Sequence, residues 1–316
     1  MRLWGSQSVW IMAFLSLLFF TFGGVEVEEK TSEQTTPLVL GSWSAPRNLD
    51  FDYFRLLVDL GFTHTLYWRS PEINVEQWKR DLDRAHHLGL SLVFDSWQPA
   101  AVPQEWLQAV LQTACLHPAF SGVYAPDEPG YRFPLEEPLR RPSLKQFKWA
   151  YRKMKSCGRG VLLQVDAASA QEKWIRQFLP YCTAFGFDIY PYKRGVDWRE
   201  RVQWATHQAA LLADERPLWM VLQGHGRTDW YNYATKLLNW NIGMEDGPRP
   251  SVEVLWEMAE IARKEGADGI WWWSFELYDW KNPEHQSFIL KFRNVHHRLR
   301  SRANWETDPQ PALPDA

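Results

Sequence analysis

Two adjacent carboxylates, Asp127 and Glu128, stand between two prolines in the stretch YAPDEPG at residues 124–130. A short apolar run at residues 120–124 comes just before them and is typical of a buried strand. Because proline fixes its own φ angle, the flanking prolines hold this stretch rigid past the strand end. A neighbouring negative charge raises the pKa of a carboxyl group, so an ionised Asp127 favours a protonated Glu128. The pair suits general acid catalysis; the alternative is a solvated Asp-Glu pair in a proline-rich loop.

The chain from residue 38 to residue 300 repeats one pattern, a short apolar run followed by a longer amphipathic segment. Continuous apolar runs indicate buried parallel strands, and glycines after several amphipathic segments are typical helix stops. The predicted strands are residues 38–43, 63–68, 90–97, 120–124, 160–166, 184–190, 217–223 and 269–275. The predicted helices are residues 50–60, 75–88, 103–116, 143–156, 168–179, 198–213, 251–265 and 285–298.

Eight strand-helix units in about 260 residues match the count and length of a (β/α)8 barrel. Regular alternation of strands and helices favours a parallel sheet. A doubly wound open sheet is the alternative, but the chain has no glycine-rich phosphate loop of the kind that fold carries. The sequence therefore predicts an α/β protein with a single (β/α)8 (TIM) barrel.

The carboxyl ends of barrel strands meet at one mouth, where such folds carry their active sites. In this chain those ends are rich in carboxylates, aromatic rings and amides. Alternation along strands five and six puts Gln164 with Asp166, and Asp188 with Tyr190, on the face opposite the apolar residues. The candidate substrate-binding residues are Trp43, Trp68, Asp95, Trp97, Asp127, Asp166, Tyr190, Tyr192, Gln223, His225 and Trp273.

The chain contains 20 tryptophans, and its net charge is −3. Sugars offer apolar faces on which indole rings stack, so this excess fits a carbohydrate site, although most of these rings are expected in the core. The negative net charge argues against a nucleic-acid partner held by phosphate contacts. The nine histidines form no His-x-His pair after strand one, so the pattern of the metal-dependent amidohydrolases is missing. No metal and no other cofactor is predicted.

An apolar segment at residues 9–25 follows a charged flank at Arg2. Its length and flanks favour a cleaved signal peptide over an uncleaved membrane anchor. We therefore expect residues 1–25 to be a signal peptide or anchor and the protein to be secreted, periplasmic or membrane-anchored. Residues 26–37 form a predicted polar linker, residues 38–300 the barrel, and residues 301–316 a flexible tail.

The chain has three cysteines, Cys115, Cys157 and Cys182, so at least one stays unpaired within the chain. In a barrel they precede strands four, five and six and lie at the end opposite the mouth. Export permits a disulfide, and the bridge considered from the sequence joins Cys157 to Cys182. Three buried thiols are the favoured alternative.

The proline-flanked Asp127-Glu128 after strand four resembles the motif of the large clan of (β/α)8 glycoside hydrolases, in which an Asn-Glu-Pro or similar triplet supplies the acid/base glutamate. The run WWWSFE at residues 271–276 is also similar to that clan, where a tryptophan near this point floors the sugar site. One departure is evident. The clan places its nucleophilic glutamate after strand seven, where this chain has Gln223.

The resemblance implies hydrolysis of glycosidic bonds in an oligo- or polysaccharide, with Glu128 as general acid. Such hydrolysis needs a second carboxylate as base or nucleophile. Asp166, Asp188 and Glu276 are the candidates. Asp188 is favoured because a proline-fixed pair of tyrosines follows it, and Glu276 comes next. Asp188 could instead only orient neighbouring groups. A non-catalytic carbohydrate-binding pseudoenzyme is the alternative function, since Gln223 cannot act as a carboxylate.

Overall fold

Eight parallel strands form a closed barrel in the computed structural model, in the order in which they occur in the chain. The strands β1 to β8 are Val39–Ser42, His64–Tyr67, Ser91–Asp95, Phe120–Ala125, Gly160–Asp166, Ala184–Ile189, Leu218–Gln223 and Gly269–Trp273. Strand β1 pairs with β8 from Val39 to Ser42, and this pairing closes the sheet on itself. The predicted (β/α)8 barrel is confirmed, and the open doubly wound sheet is excluded.

The structure describes residues 38–43, 52–67, 75–95, 104–125, 144–166, 175–192, 195–226, 229, 248–273 and 275–306. All of them belong to one structural unit that spans residues 37–316. The predicted signal or anchor segment, the linker and residues 307–316 lie outside the described residues.

The helices α1 to α7 are Tyr53–Asp59, Val75–His87, Gln104–Cys115, Leu144–Ser156, Trp198–Ala213, Val252–Lys264 and Pro283–Glu306. The last helix extends past the predicted end at residue 298. Several helices begin at residues whose side chains accept hydrogen bonds from the first turn, a strong local start signal. Asp52 starts α1, Asp197 starts α5 and Ser251 starts α6 in this way.

The helix predicted at residues 168–179 is wrong where the structure describes it. Two short 3-10 turns, Ile175–Gln177 and Leu179–Tyr181, stand there instead. Pro180 lies in the second turn; it lacks an N–H group and disfavours α-helical geometry at the residue before it. The described part of the connection between β5 and β6 therefore consists of short 3-10 turns and not of the α-helix that the amphipathic pattern predicted.

The strands carry two apolar layers that alternate along the chain. Residues such as Leu163, Phe187 and Met220 belong to the core between the barrel and its helices. A second cluster fills the barrel interior, with one member from β1 or the residue after it and one from each other strand. Its buried members are Trp43, Leu66, Val93, Tyr124, Leu162, Ala184, Val221 and Trp271.

Large aromatic rings fill the barrel interior. Trp219 stacks on Trp271 with ring centroids 5.4 Å apart, and Trp43 meets Trp271 edge-on at 5.9 Å. Gly41 of β1 makes room for this stack, because a Cβ atom there would lie 2.0 Å from Cδ2 of Trp271. The interior is thus a packed core that supports the residues at the mouth above it.

A disulfide joins Cys115 at the end of α3 to Cys157 just past the end of α4, with Cα atoms 5.6 Å apart. This pairing corrects both cysteine predictions, the bridge from Cys157 to Cys182 and the three buried thiols. The two bonded residues end neighbouring helices, which brings them within disulfide range. Cys182 stays a buried free thiol, and burial raises its pKa to about 12. All three cysteines precede the amino ends of β4, β5 and β6, as predicted.

Candidate functional site

The carboxyl ends of β6, β7 and β8 lie side by side and bring several predicted site residues together. Asp188 of β6 stands level with Val221 of β7, and Gln223 at the end of β7 stands level with Trp273 at the end of β8. Tyr190 directly follows β6, and His225 follows β7 by two residues. These residues form one sector of the mouth.

Three rings form what we call the mouth cluster: Tyr190, His225 and Trp273. Tyr190 lies over Trp273 at a centroid distance of 5.2 Å and a 30° interplanar angle. His225 meets Trp273 edge-on at 4.8 Å and lies 5.6 Å from Tyr190. His225 is fully buried, whereas Tyr190 and Trp273 keep part of their surface exposed. The cluster therefore presents two aromatic rings to the mouth on a buried support.

The tautomer of His225 follows from its hydrogen bond. Its Nδ1 lies 3.0 Å from the carbonyl oxygen of Gly226, which can only accept. Nδ1 therefore carries a proton. This bond fixes the plane of the imidazole ring and, through it, the support of the two exposed rings.

Asp188 is buried among the mouth residues, with 2% of its surface exposed. Its Cα is the register partner of Asp166, so two candidate carboxylate residues stand level on neighbouring strands. Gln164 lies one step below them on β5 and is also 2% exposed. Gly186 stands beside Gln164 and leaves it room, because a Cβ at this position would lie 3.3 Å from the Cβ of Gln164.

Gln223 is fully buried, and its amide bonds to backbone on both sides. Its Oε1 accepts from the backbone N–H of Tyr192 at 2.9 Å. Its Nε2 donates to the carbonyl of Tyr192 at 3.1 Å and to that of His225 at 2.9 Å. Both N–H donors of the side chain are therefore committed to the protein, which leaves them no bond for a substrate hydroxyl. Tyr192 also packs edge-on against Trp198 at 6.2 Å.

A second cluster, which the sequence did not single out as a unit, lies next to the end of β7 and is formed by Asp229, Arg249 and Tyr278. Arg249 forms two 2.9 Å bonds to the carboxylate of Asp229, and hydrogen bonding to Asp229 raises the pKa of Arg249. The buried hydroxyl of Tyr278 lies 3.3 Å from the carbonyl of Gly224 and 3.4 Å from Asp229. Burial, reinforced by Asp229, raises the pKa of Tyr278 well above its ordinary value. The only sequence signal was an Asp and an Arg at the two ends of an aromatic-rich segment.

The remaining predicted site residues are placed unevenly. Glu128, Asp127, Trp68 and Trp97 lie outside the described residues. For three others the structure describes the backbone alone: Asp95 ends β3, Asp166 ends β5, and Glu276 lies in the 3-10 turn Phe275–Leu277.

Trp43 belongs to the barrel interior more than to an open surface. It is 8% exposed and meets Tyr124 edge-on at 4.8 Å. Among the described residues, no group of three or more histidine, cysteine or acidic side chains could hold a metal ion. Chemically, the described sector offers an aromatic surface beside a buried carboxylate.

No protein-family model and no curated protein sequence matches this chain. Solved structures do resemble it. The modular endo-β-1,4-mannanase from Cellulomonas fimi superposes with a TM-score of 0.53 at 10% identity, over 86% of this chain and 71% of the mannanase. Catalytic domain 2 of the group II chitinase from Ostrinia furnacalis gives 0.52 at 10% identity, over 87% of this chain and 99% of that domain.

β-Glucuronidase 2 from Bacteroides uniformis is a weaker match, with a TM-score of 0.47 at 12% identity over 76% of this chain. This chain spans only 30% of that protein's length. At such identities the mannanase and the chitinase establish a shared fold. The predicted resemblance to (β/α)8 glycoside hydrolases is confirmed at the level of that fold.

Within the part of the chain that the structure describes, no helix is long and apolar enough to cross a membrane. The apolar segment at residues 9–25 is not among those residues.

Proposed function

We propose that this protein binds an oligo- or polysaccharide at the barrel mouth and hydrolyses its glycosidic bonds. The observation that carries the proposal is the mouth cluster, in which Tyr190 and Trp273 are partly exposed beside the buried carboxylate of Asp188. Aromatic rings bind sugar faces, and a nearby carboxylate can accept hydroxyl protons or activate water. The shared fold with a mannanase and a chitinase is compatible with this function.

In this proposal Glu128 is the general acid that protonates the leaving oxygen. Asp188 is the preferred second carboxylate, because it is buried near the carboxyl end of β6, two residues before Tyr190. Glu276, in the turn after β8, is the next candidate. The reaction needs one carboxyl group protonated and the other ionised.

A second function is favoured by one specific observation. The position at the end of β7, where the resembling clan carries its nucleophile, holds a fully buried amide bonded to backbone. A carbohydrate-binding protein without hydrolytic activity needs the mouth cluster but no second carboxylate. The same barrel could therefore bind sugars without turning them over.

A panel of oligosaccharides, assayed for binding and for product, separates the two functions. If the protein hydrolyses glycosidic bonds, Glu128→Gln should lower turnover by a factor of about 100 or more, the usual contribution of a general acid. Binding of the oligosaccharide should persist in this variant. Binding without product, unchanged by Glu128→Gln, supports the binding protein. Absence of any binding to the panel contradicts both.

The anomeric outcome tests the carboxylate assignment. A spacing of about 5 Å between the two carboxyl groups gives retention, and roughly 6.5–9.5 Å gives inversion with a water between them. With Asp188 as base we propose inversion. Nuclear magnetic resonance of the first-formed anomer decides it, and a retained anomer rules out Asp188 as the base of an inverting reaction.

We also propose that the protein is exported and that residues 9–25 direct it, either as a cleaved signal or as an anchor in the membrane. The apolar run and its charged flank support this proposal. Edman sequencing of the mature protein and fractionation of expressing cells test it. A full-length chain in the soluble cytosolic fraction contradicts it.

A further inference from the structure

Gln223 fills a place that only an amide side chain can fill. It accepts one hydrogen bond from a backbone N–H and donates two to backbone carbonyls, and it is fully buried. A carboxylate has acceptors only, so an ionised glutamate at this position would face two carbonyl oxygens. The amide orientation is equally fixed, because the N–H of Tyr192 can only donate and the two carbonyls can only accept.

The three bonds tie together two segments that carry the mouth cluster. Tyr192 is the second residue after Tyr190, and the intervening Pro191 is buried. His225 is a member of the cluster, and its carbonyl accepts from the same amide nitrogen. One side chain from β7 therefore holds the segment after β6 and the segment after β7 in a fixed relation.

The cluster depends on that relation, because its members come from three strands. Tyr190 follows β6, His225 follows β7, and Trp273 ends β8. Strand pairing joins Gln223 to Trp273 directly, but Tyr190 lies beyond the last residue of β6. Its position depends on the segment that follows β6. Gln223 holds this segment through the backbone N–H and the carbonyl of Tyr192.

We propose that Gln223 is a positioning residue that sets the geometry of the mouth cluster, and that β7 supplies no catalytic carboxylate. The part of this inference that concerns saccharide affinity rests on the proposed function. The three hydrogen bonds of Gln223, which we call the clamp, do not rest on it, because they lie within the protein. The resembling clan's nucleophile position is thus occupied here by a structural amide.

The first test is the pH dependence of Gln223→Glu. Burial and two facing carbonyls raise the pKa of the new carboxyl group above its ordinary value of about 4.3. Its protonated form restores one donor, so the variant is most stable at low pH and loses stability as pH rises through the raised pKa. A nucleophile has the opposite requirement, since it must be ionised to react.

Urea unfolding of Gln223→Glu at pH 4.5 and pH 7.5 measures this, with each value taken relative to the wild type at the same pH. The expected result is an unfolding equilibrium constant, relative to wild type, that is at least about tenfold larger at pH 7.5 than at pH 4.5, the effect of one lost buried hydrogen bond. Gln177→Glu makes the same chemical change at an exposed position and serves as the matched control. Equal relative stability of Gln223→Glu at both pH values overturns the clamp.

The second test uses Gln223→Met, which keeps the length of the side chain and removes all three bonds without adding charge. We expect its dissociation constant for the tightest-binding oligosaccharide of the panel to rise about tenfold at every pH where the protein is folded. Where turnover is measurable, KM rises while kcat changes little, because Asp188 is held by the strand ladder. This variant decides the question if Gln223→Glu fails to fold at any pH.

The outcomes separate the two proposals. Unchanged affinity in folded Gln223→Met overturns the positioning role. Turnover by Gln223→Glu that appears or grows as pH rises, with a retained anomer, shows that β7 can supply a nucleophile and overturns the inference as well. If the wild type binds no saccharide of the panel, the proposed function fails, and the pH dependence of unfolding alone decides the clamp.

Discussion

The two ends of the barrel use polar side chains in different ways. At the amino end, arginines cap backbone carbonyls of the neighbouring unit: Arg159 binds the carbonyls of Cys115 and His117, and Arg216 binds that of Cys182. At the carboxyl end, Tyr190 and Trp273 contact each other through ring faces and remain partly exposed. The first arrangement uses side chains to bind backbone carbonyls, whereas the second leaves part of the aromatic surface uncovered.

Gln223 is the exception that clarifies this difference. It stands at the mouth but behaves like the arginines of the amino end, because every one of its hydrogen bonds goes to backbone. A polar residue at a strand end is therefore not a site residue by position alone. What distinguishes the two roles is whether its donors and acceptors are already used by the chain.

The largest expected effect on stability is at the amino end. Replacing both Cys115 and Cys157 by serine removes a bridge that spans 42 residues, which lowers the free energy of unfolding by about 4 kcal/mol on the loop-entropy model. Saccharide binding should stay unchanged, because the bridge lies at the other end of the barrel. Calorimetry and titration measure the two quantities, with Ser156→Ala as the control. A loss of affinity would mean that the two ends are coupled.

The next effect lies in the core between the two ends. Gly41→Ala places a Cβ within the ring of Trp271, and the overpacking should cost about 3 kcal/mol. Gly89→Ala is a useful comparison, since open space surrounds its Cβ and only its positive φ opposes the change. Denaturant unfolding of both variants tests this. Equal stability of Gly41→Ala and the wild type would contradict the packing of the interior.

A third effect concerns pH and lies between the barrel and its last helix. Burial lowers the pKa of His296 from 6.5 to about 3; its Nδ1 donates to the carbonyl of Leu60, and its Nε2 accepts from Trp272. The unfolded chain binds the second imidazole proton of His296 more tightly than the folded chain does. The stability that the neutral ring contributes is therefore complete above pH 6.5 and is lost as pH falls toward 3. Between pH 7 and pH 5 the loss is about 2 kcal/mol.

His296→Gln should remove that part of the pH dependence, as unfolding curves measured at both pH values can show. The exposed His87→Gln is the control and should keep the wild-type slope. Burial also lowers the pKa of His64 to about 4, so some acid sensitivity should persist in His296→Gln. An unaltered slope in that variant would mean that His296 is not the neutral, bonded group described above.

The last effect lies at the mouth, where function should suffer more than stability. Trp273→Ala loses its contacts with Tyr190 and His225, each worth about 1 kcal/mol for an aromatic pair. Its affinity for saccharide should fall about tenfold or more. Trp204→Ala, on the exposed face of α5, removes the same side chain away from the mouth and should bind normally. Equal affinities of the two variants would remove the main support for the carbohydrate site.

The eight strands could be predicted from the sequence because their signals are local. Apolar runs, glycine stops and caps such as Asp52, Asp197 and Ser251 depend on neighbours within a few residues. The barrel then follows from the count of units. Even the placement of the three cysteines away from the mouth required only the order of the elements.

The tertiary structure decided what depends on distant partners. Three thiols at the same end of the barrel have no preferred pairing in the sequence, and the adjacent ends of α3 and α4 selected Cys115 and Cys157. Gln223 had the position of a site residue, but its bonding partner Tyr192 is 31 residues away. Arg249 likewise bonds to Asp229, which lies 20 residues earlier in the chain. Periodicity along a strand fixes which face a side chain occupies, but only the closed sheet determines which groups it meets there.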